Sequence, residues 1–372
     1  MDRTIQELLE ITVKENASDL HITTLLPPRI RVNGVLRSVG HTTLTPTETK
    51  ELIYNILTEK QKKKFEEKLE LDFSFGMKQL GRFRVNIFLQ KGAVAGAFRR
   101  IPPDVLGFTE LGIPHKIAQL CELPRGLILV TGPTGCGKST TLACMIDHIN
   151  REKNLHIITI EDPIEFFFTP KKAVINQREL FIDTLSYTNA LRSVLREDPD
   201  VVLVGEMRDF ETVEATLRVA ETGHLTFSTL HTNSAAETIS RIIDIFPGQY
   251  QAQVRTQLSM NLEAVLTQAL LPRADKNGRV LAMEILIPNP AIRNLIRENK
   301  THQIYALMQV GQEKSGMQTF NQSLAFLYFG KSITLETAIK VSYNPEELID
   351  IIQGREGVKM ASPDFYPKSI KK

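Results

Sequence analysis

Residues 127–140 read Leu-Ile-Leu-Val-Thr-Gly-Pro-Thr-Gly-Cys-Gly-Lys-Ser-Thr, a short apolar run that passes into a glycine-rich loop. From Gly132 to Ser139 the chain matches the pattern G-x-x-x-x-G-K-[ST]. The apolar run predicts a buried parallel strand, and residues 141–149 predict a helix. A phosphate-binding loop requires this strand–loop–helix setting. The segment therefore predicts a site for a nucleoside triphosphate.

The residue types in this loop each have a chemical reason. Glycines let the backbone curl so that successive N–H groups point at phosphate oxygens, and the helix N-terminus adds a partial positive charge. We expect Lys138 to reach the β- and γ-phosphates and the hydroxyl of Ser139 to ligand Mg²⁺. The predicted cofactors are ATP and Mg²⁺, and the predicted binding residues are Gly132, Pro133, Thr134, Gly135, Cys136, Gly137, Lys138, Ser139 and Thr140.

Two acidic residues follow apolar runs further along the chain. Glu161 comes directly after Ile157–Ile160, and Glu206 comes after Val201–Val204 with Gly205 between. In open α/β sheets, sites lie at the carboxyl ends of the strands, so both acids are candidates for the chemistry. We assign Glu206 to the Mg²⁺ shell and Glu161 to polarising the attacking water, although the sequence alone could exchange these roles.

A histidine and several arginines complete the set of candidates. His231 follows the predicted strand 226–230 and could donate a hydrogen bond to phosphate near neutral pH. Charge on the transferred phosphoryl group requires guanidinium donors. Arg82 and Arg84 share one face of a predicted strand, and Arg99 ends the next one. Because arginine is common on exposed strand faces, the pattern alone leaves the role of each open.

Composition sets limits on the class of protein. The 372 residues are 42% hydrophobic and 24% charged with a net charge of +2, which suits a globular protein of two or three domains and no nucleic-acid partner. No run approaches the length of a membrane span, and the N-terminus lacks a signal-peptide pattern. Three cysteines without a C-x-x-C pair predict no disulfide framework or zinc site. Cys136 is interpreted as a small filler, although a thiol at a helix N-terminus can have a lowered pKa.

The order of patterns predicts the domains. Residues 1–103 predict a small α+β domain, in which 45–69 reads as helical and Asn33-Gly34 as a turn. Residues 104–114 predict a linker, 115–288 a mostly parallel α/β core, and 289–372 a helical region. The strands predicted in the core are 127–131, 156–160, 201–204, 226–230 and 280–287.

Taken together, these stretches resemble the secretion and type IV pilus ATPase family. The segments 132–140, 160–165, 201–209 and 226–233 are similar to its Walker A loop, aspartate box, Walker B box and histidine box. The similarity is closest to the PilT-like retraction ATPases. It includes Ala-Ile-Arg-Asn-Leu-Ile-Arg-Glu at 291–298, which resembles their C-terminal signature and by itself predicts an amphipathic helix.

The resemblance implies a RecA-like P-loop ATPase domain, a PAS-like α+β N-terminal domain and a helical C-terminal region. It implies that Glu161 is the catalytic glutamate, that Glu206 is the Walker B glutamate, and that His224 and His231 belong to the histidine box. It further implies that closure of the N-terminal domain brings Arg84 and Arg99 onto the phosphates, with Arg82 as a further candidate.

The same resemblance implies a biological role. It predicts a cytoplasmic homohexamer that hydrolyses ATP to power pilus retraction and twitching motility at the inner membrane. Attachment would be peripheral, through a platform protein in the membrane. One alternative is a pilus-assembly or type II secretion ATPase, although such relatives commonly carry a long N-terminal extension and a tetracysteine loop. A nucleotide-binding scaffold without turnover is another, and near-neutral charge argues against a third, a RecA-like helicase.

Overall fold

The computed structural model describes residues 3–32, 34–77, 80–101, 105–310 and 316–354. The chain divides into two compact units, Met1–Asp104 and Val105–Lys372. Each unit has its own sheet and its own hydrophobic core. Among the helices of the described ranges, none is long and apolar enough to cross a membrane.

The first unit packs helices on one face of an antiparallel sheet with strand order β3-β2-β1-β6-β5-β4. Its strands are β1 (Asp19–Ile22), β2 (Arg29–Val32), β3 (Val35–Ser38), β4 (Glu70–Met77), β5 (Gly81–Gln90) and β6 (Ala93–Ile101). Its helices are α1 (Ile5–Lys14), α2 (Pro46–Tyr54) and α3 (Glu59–Lys68). Helix residues such as Leu8 and Leu52 share one core with strand residues such as Leu20 and Val85.

The segment 45–69 differs from its prediction as one helical stretch. It forms two helices, because the side chain of Thr58 accepts the N–H of Gln61 and begins α3 anew. Leu57, in the connection, is buried in the core of the unit. In the turn predicted at Asn33-Gly34, Asn33 lies outside the described residues, and Gly34 has a φ of 82°.

The second unit is built on a sheet with strand order β13-β12-β7-β11-β10-β8-β9. Neighbouring strands run parallel except β12 and β13, so the predicted α/β class with a mostly parallel sheet is confirmed. The strands are β7 (Gly126–Thr131), β8 (His156–Glu161), β9 (Val174–Glu179), β10 (Val201–Val204), β11 (Leu225–Leu230), β12 (Leu262–Pro272) and β13 (Arg279–Leu286).

Helices cover both faces of this sheet. In β7, Ile128 and Val130 pack into the core shared with α6, while Leu127 and Leu129 pack into the core shared with α8 to α11. A strand buried on both faces needs the continuous apolar run that the sequence shows. The helices are α4 (Phe108–Leu111), α5 (His115–Leu120), α6 (Lys138–Glu152), α7 (Tyr187–Val194), α8 (Phe210–Glu221), α9 (Ala235–Asp244), α10 (Gly248–Asn261), α11 (Pro290–Arg297) and α12 (Ile304–Val310), followed by Phe320–Phe329, Leu335–Val341 and Pro345–Gln353.

Three stretches of this unit depart from the sequence predictions, and one of them is strand β9, where no strand was predicted. The segment 104–114, predicted as a linker, contains α4, and its Ile113 is fully buried in the core of the second unit. Strand β12 was not predicted, because its leucines, alanines and glutamine are residues that also favour helices. It is a strand because β7 and β13 pair with it on its two sides.

Candidate functional site

The glycine-rich loop connects the end of β7 to the start of α6. Gly132, Gly135 and Gly137 have φ values of 132°, 79° and 91°, a region that other residues rarely adopt. A Cβ on Gly132 would collide with the carbonyl oxygen of Gln268, whereas a Cβ on Gly135 would meet no atom within 4 Å. The first N–H groups of α6 have no acceptor within the helix. This open backbone with helix N–H groups beside it fits a bound phosphate.

Lys138, the first residue of α6, lies folded over this loop. Its Nζ donates to the carbonyl oxygens of Gly132 at 2.8 Å and Pro133 at 3.2 Å, and it lies 3.4 Å from Nδ1 of His231. The side chain is 8% exposed, and this burial lowers the pKa of Lys138, while nearby acidic groups partly offset it. A buried ammonium group held by carbonyl oxygens and an imidazole, with no carboxylate in direct contact among the described residues, is suited to an anionic ligand.

Glu206 continues the chain of contacts that starts at Lys138. Its Oε1 lies 3.1 Å from Nε2 of His231, and its Oε2 lies 2.8 Å from the guanidinium of Arg208. Because Lys138 can only donate, we assign the proton of a neutral His231 to Nε2, which donates to Glu206. Burial alone would raise the pKa of Glu206, but Arg208 and His231 outweigh it and the pKa is lowered. Glu206 is therefore an ionised carboxylate at neutral pH.

Glu161 ends β8 in a different environment. Thr159 donates its hydroxyl proton to Oε1 at 2.6 Å, and Nε2 of Gln177 lies 3.4 Å away. Burial raises the pKa of Glu161 to about 7, even though these hydrogen bonds act in the opposite direction. The side chain lines a small cavity together with Ser139 and Gly205. Glu161 can therefore exchange a proton near neutral pH beside the start of α6.

Two side chains that follow the aspartate-box segment 160–165 line this same cavity. Phe166 and Phe168 form part of its wall with Leu142 and Leu203. Apolar walls lower the local dielectric, which is the cause of the raised pKa of Glu161.

His224 lies at the end of the parallel strands that is opposite to the glycine loop and His231. It precedes β11, whereas His231 follows it, so a strand of six residues and about 20 Å separates them. Nδ1 of His224 donates to the carbonyl oxygen of Val219 at 3.0 Å. Within this unit the structure does not bring His224 to the glycine loop.

The predicted arginines belong to the first unit, where Arg84 and Arg99 are direct partners across β5 and β6. Paired residues point to the same side of a sheet, so the two guanidinium groups share one face. Nε of Arg99 lies 3.0 Å from Oδ1 of Asp19, a nearly buried carboxylate. A guanidinium nitrogen of Arg82 donates to the hydroxyl of Ser74 at 3.2 Å.

Sequence reasoning singled out neither Gln268 nor Arg208, and the structure places both in contact with the site. Gln268 on β12 donates to the carbonyl oxygen of Cys136 at 2.8 Å and accepts from Thr141 at 2.9 Å, so it links the end of the loop to the first turn of α6. No local signal marks Gln268, since it is more than a hundred residues away in the sequence. Arg208 did carry a signal, because it lies two residues after Glu206.

The sulfur of Cys136 is buried, contrary to the hypothesis of an activated thiol. Burial raises the pKa of Cys136 above its usual value. We expect iodoacetamide at pH 7.5 to leave Cys136 unmodified in the folded protein and to alkylate it in concentrated urea. Peptide mass spectrometry distinguishes these states, and rapid labelling of the folded protein would contradict the prediction.

Comparisons with known proteins agree with this geometry. A family model described as "Type II/IV secretion system protein" matches residues 1–303. The type IV pilus retractation ATPase PilT of Pseudomonas aeruginosa is 51% identical over 342 residues, which cover 92% of this chain and 99% of that protein. A twitching motility protein of Neisseria gonorrhoeae is 51% identical over 321 residues, 86% of each chain. The crystal structure of the pilus retraction motor PilT with bound ADP matches with a TM-score of 0.88 at 53% identity, covering 93% of this chain and 99% of that one.

Proposed function

Because the chain belongs to the type II/IV secretion system protein family, we propose that it is an ATPase that powers type IV pilus retraction and twitching motility. Relatives that carry those names match nearly its whole length. The observation that carries the proposal is the line of contacts from the glycine loop through Lys138 and His231 to Glu206. A loop that only connected a strand to a helix would not need a buried lysine in contact with this imidazole and, through it, with a carboxylate.

ATP is the proposed substrate of this site. The backbone N–H groups of residues 132–140, except Pro133, which has none, hold the phosphates. Lys138 exchanges its two carbonyl partners for phosphate oxygens, which are better acceptors because they are charged. Ser139 and Glu206 would hold Mg²⁺, which neutralises phosphate charge when it is bound. The RecA-like fold class and the ADP-bound relative support this assignment.

The two carboxylates divide the chemistry according to their environments. Glu161 accepts a proton from the attacking water, for which a pKa of about 7 is well matched. Glu206, with its lowered pKa, stays anionic and suits the cation shell. His231 donates a hydrogen bond from Nε2 to Glu206 and contacts Lys138 through Nδ1, so it connects Glu206 to the lysine that binds the phosphates. This division keeps the assignment that the sequence had left exchangeable.

The proposed function also includes an assembly and arginines from the first unit. The chain acts as a homohexamer at the cytoplasmic face of the inner membrane, bound to a platform protein of the pilus machinery. Arg84 and Arg99 of the first, PAS-like unit supply guanidinium groups to the phosphates during turnover. Asp19, which holds Arg99 in this structure, releases it to the stronger anionic ligand.

Purified protein tests the enzymatic part. We expect the purified protein to release phosphate from ATP. Light scattering should show a particle of six 42.0 kDa chains. Glu206→Gln should lower turnover about 100-fold without changing particle size, because the amide no longer neutralises the cation. Glu214→Gln, on the exposed side of α8, is the matched control. ATP binding without phosphate release by the wild type would support a regulatory scaffold instead.

Deletion of the gene tests the biological direction. Loss of a retraction motor leaves assembly unopposed, so cells should become hyperpiliated and stop twitching. Electron microscopy of surface pili and a stab-agar motility assay measure the two properties. Cells without pili would show that the motor assembles pili.

A further inference from the structure

Glu284 is a buried carboxylate between the first turns of two helices. It lies in β13 and is 2% exposed. One oxygen accepts the backbone N–H of Ala235, the first residue of α9, at 2.7 Å. The carboxylate also accepts the backbone N–H of Phe320, the first residue of helix Phe320–Phe329. A negative charge at two helix N-termini is a favourable arrangement that no neutral side chain reproduces fully.

Helix α9, whose first N–H binds Glu284, begins four residues after His231. The connection is short and internally bonded: Ser234 accepts the N–H of Glu237, and Glu237 accepts the N–H of Asn233 at 2.8 Å. The hydroxyls of Thr232 and Thr238 also lie 2.7 Å apart. Because His231–Ser234 has this little freedom, the position of its imidazole depends on where α9 begins.

Across the sheet, Glu284 lies in the same row as the base of the glycine loop. It is the direct partner of Thr267 on β12, and Thr267 is the partner of Thr131 on β7. The two threonine hydroxyls lie 2.8 Å apart, and Gly132 follows Thr131 in the chain. Thr131, Thr267 and Glu284 form one row of polar residues across the sheet. The loop before Lys138 and the segment after His231 are both attached to this row.

On its other side Glu284 contacts the C-terminal helices. Asn321, next to Phe320, donates its side-chain amide to Glu347 at 2.8 Å. The hydroxyl of Tyr305 also donates to Glu347, at 2.7 Å. The carboxylate of Glu284 therefore joins this hydrogen-bonded C-terminal group to α9.

We propose that Glu284 is a positioning residue for ATP hydrolysis, holding His231 against Lys138 and Glu206 by fixing the start of α9 to β13 and to helix Phe320–Phe329. The inference rests on the proposed ATPase function. The two carboxylate oxygens provide acceptors for both N–H groups. Glutamine keeps the shape but has one acceptor oxygen in place of two, so the two buried N–H groups must share it or one of them loses its acceptor.

Kinetics of Glu284→Gln test the positioning role. We expect kcat to fall roughly tenfold, within the range set by one unsatisfied buried donor, with the KM for ATP changed by less than about twofold. In a His231→Ala background the same change should have less than about a twofold effect, because the group it positions is gone. Glu161 and Glu284 both have a pKa of about 7, so the double-mutant comparison, and not a pH profile, separates them.

Hydrogen exchange gives a second readout that does not need activity. Amides of residues 231–238 should exchange at least about tenfold faster in Glu284→Gln. Asp147→Asn is the matched control: it also converts a buried carboxylate to an amide, but on α6, where it contacts Lys171 and Arg151. It should leave those amides unchanged.

Three results would overturn the proposal: an unchanged kcat, an equal loss in both backgrounds, or unchanged exchange at residues 231–238. A wild type that binds ATP but releases no phosphate would contradict the proposed function. The exchange measurement would still decide whether Glu284 holds the His231 segment.

Discussion

Replacing Glu161 by glutamine is expected to lower kcat for ATP hydrolysis by about 10³-fold, within the range for loss of a general base. The amide keeps an oxygen that can accept from Thr159, so the fold of the site is preserved. It cannot take a proton from water. Nucleotide affinity should stay within about threefold of the wild type, because the phosphate contacts are made by other groups. Phosphate release and the binding of a fluorescent ADP analogue measure the two quantities.

The pH dependence provides an independent check on the same residue. Glu161 must be ionised to act as a base, and burial raises its pKa to about 7. The rate should therefore be level above pH 7 and should fall about tenfold per pH unit below it. In Glu161→Gln the steep fall below pH 7 should disappear, leaving at most the roughly tenfold total loss expected when Glu284 is protonated.

The control for Glu161 is Glu152→Gln. Glu152 lies at the far end of α6, half exposed and paired with Lys172. Exposed pairs of this kind contribute little, so activity should be unchanged. If Glu161→Gln keeps more than a tenth of wild-type turnover, Glu161 is not the base.

The second large effect is expected for Lys138→Ala. The variant removes the buried ammonium group that lies over the loop, and with it the charge that the phosphates require. We expect ATP affinity to fall about 100-fold and kcat/KM by at least about 10³-fold, because the charge acts in the transition state as well as in binding. Isothermal titration calorimetry and steady-state kinetics measure these values.

Lys172→Ala is the matched control for this variant. Lys172 is half exposed and pairs with Glu152, away from the loop. Circular dichroism should show that both variants are folded. Undiminished ATP binding by folded Lys138→Ala would remove Lys138 from the phosphate site.

Much of the second unit could be predicted from local sequence. The apolar run before Gly132 and the glycine spacing specify a strand, a turn and a helix through neighbouring residues alone. In the same way, the apolar runs before Glu161 and Glu206 specify strands that end in acids. Patterns within about ten residues determine the backbone conformation, so they were sufficient for these elements.

Other features depended on residues that are distant in the sequence. The residues of strand β12 favour helices in local sequence. Pairing with β7 makes the segment a strand and brings Gln268 into contact with the glycine loop. His224 and His231 lie at opposite ends of β11, and the direction of β11 in the sheet decides which of them is near the glycine loop.

The sequence by itself determined that this chain has a phosphate loop with acids at nearby strand ends, because those features are local. The tertiary structure decided which acid can exchange its proton near neutral pH and which stays ionised. It also placed Glu284 between two helix N-termini. Burial and charge at a side chain are set by whatever packs around it, and those neighbours come from segments that no local pattern connects.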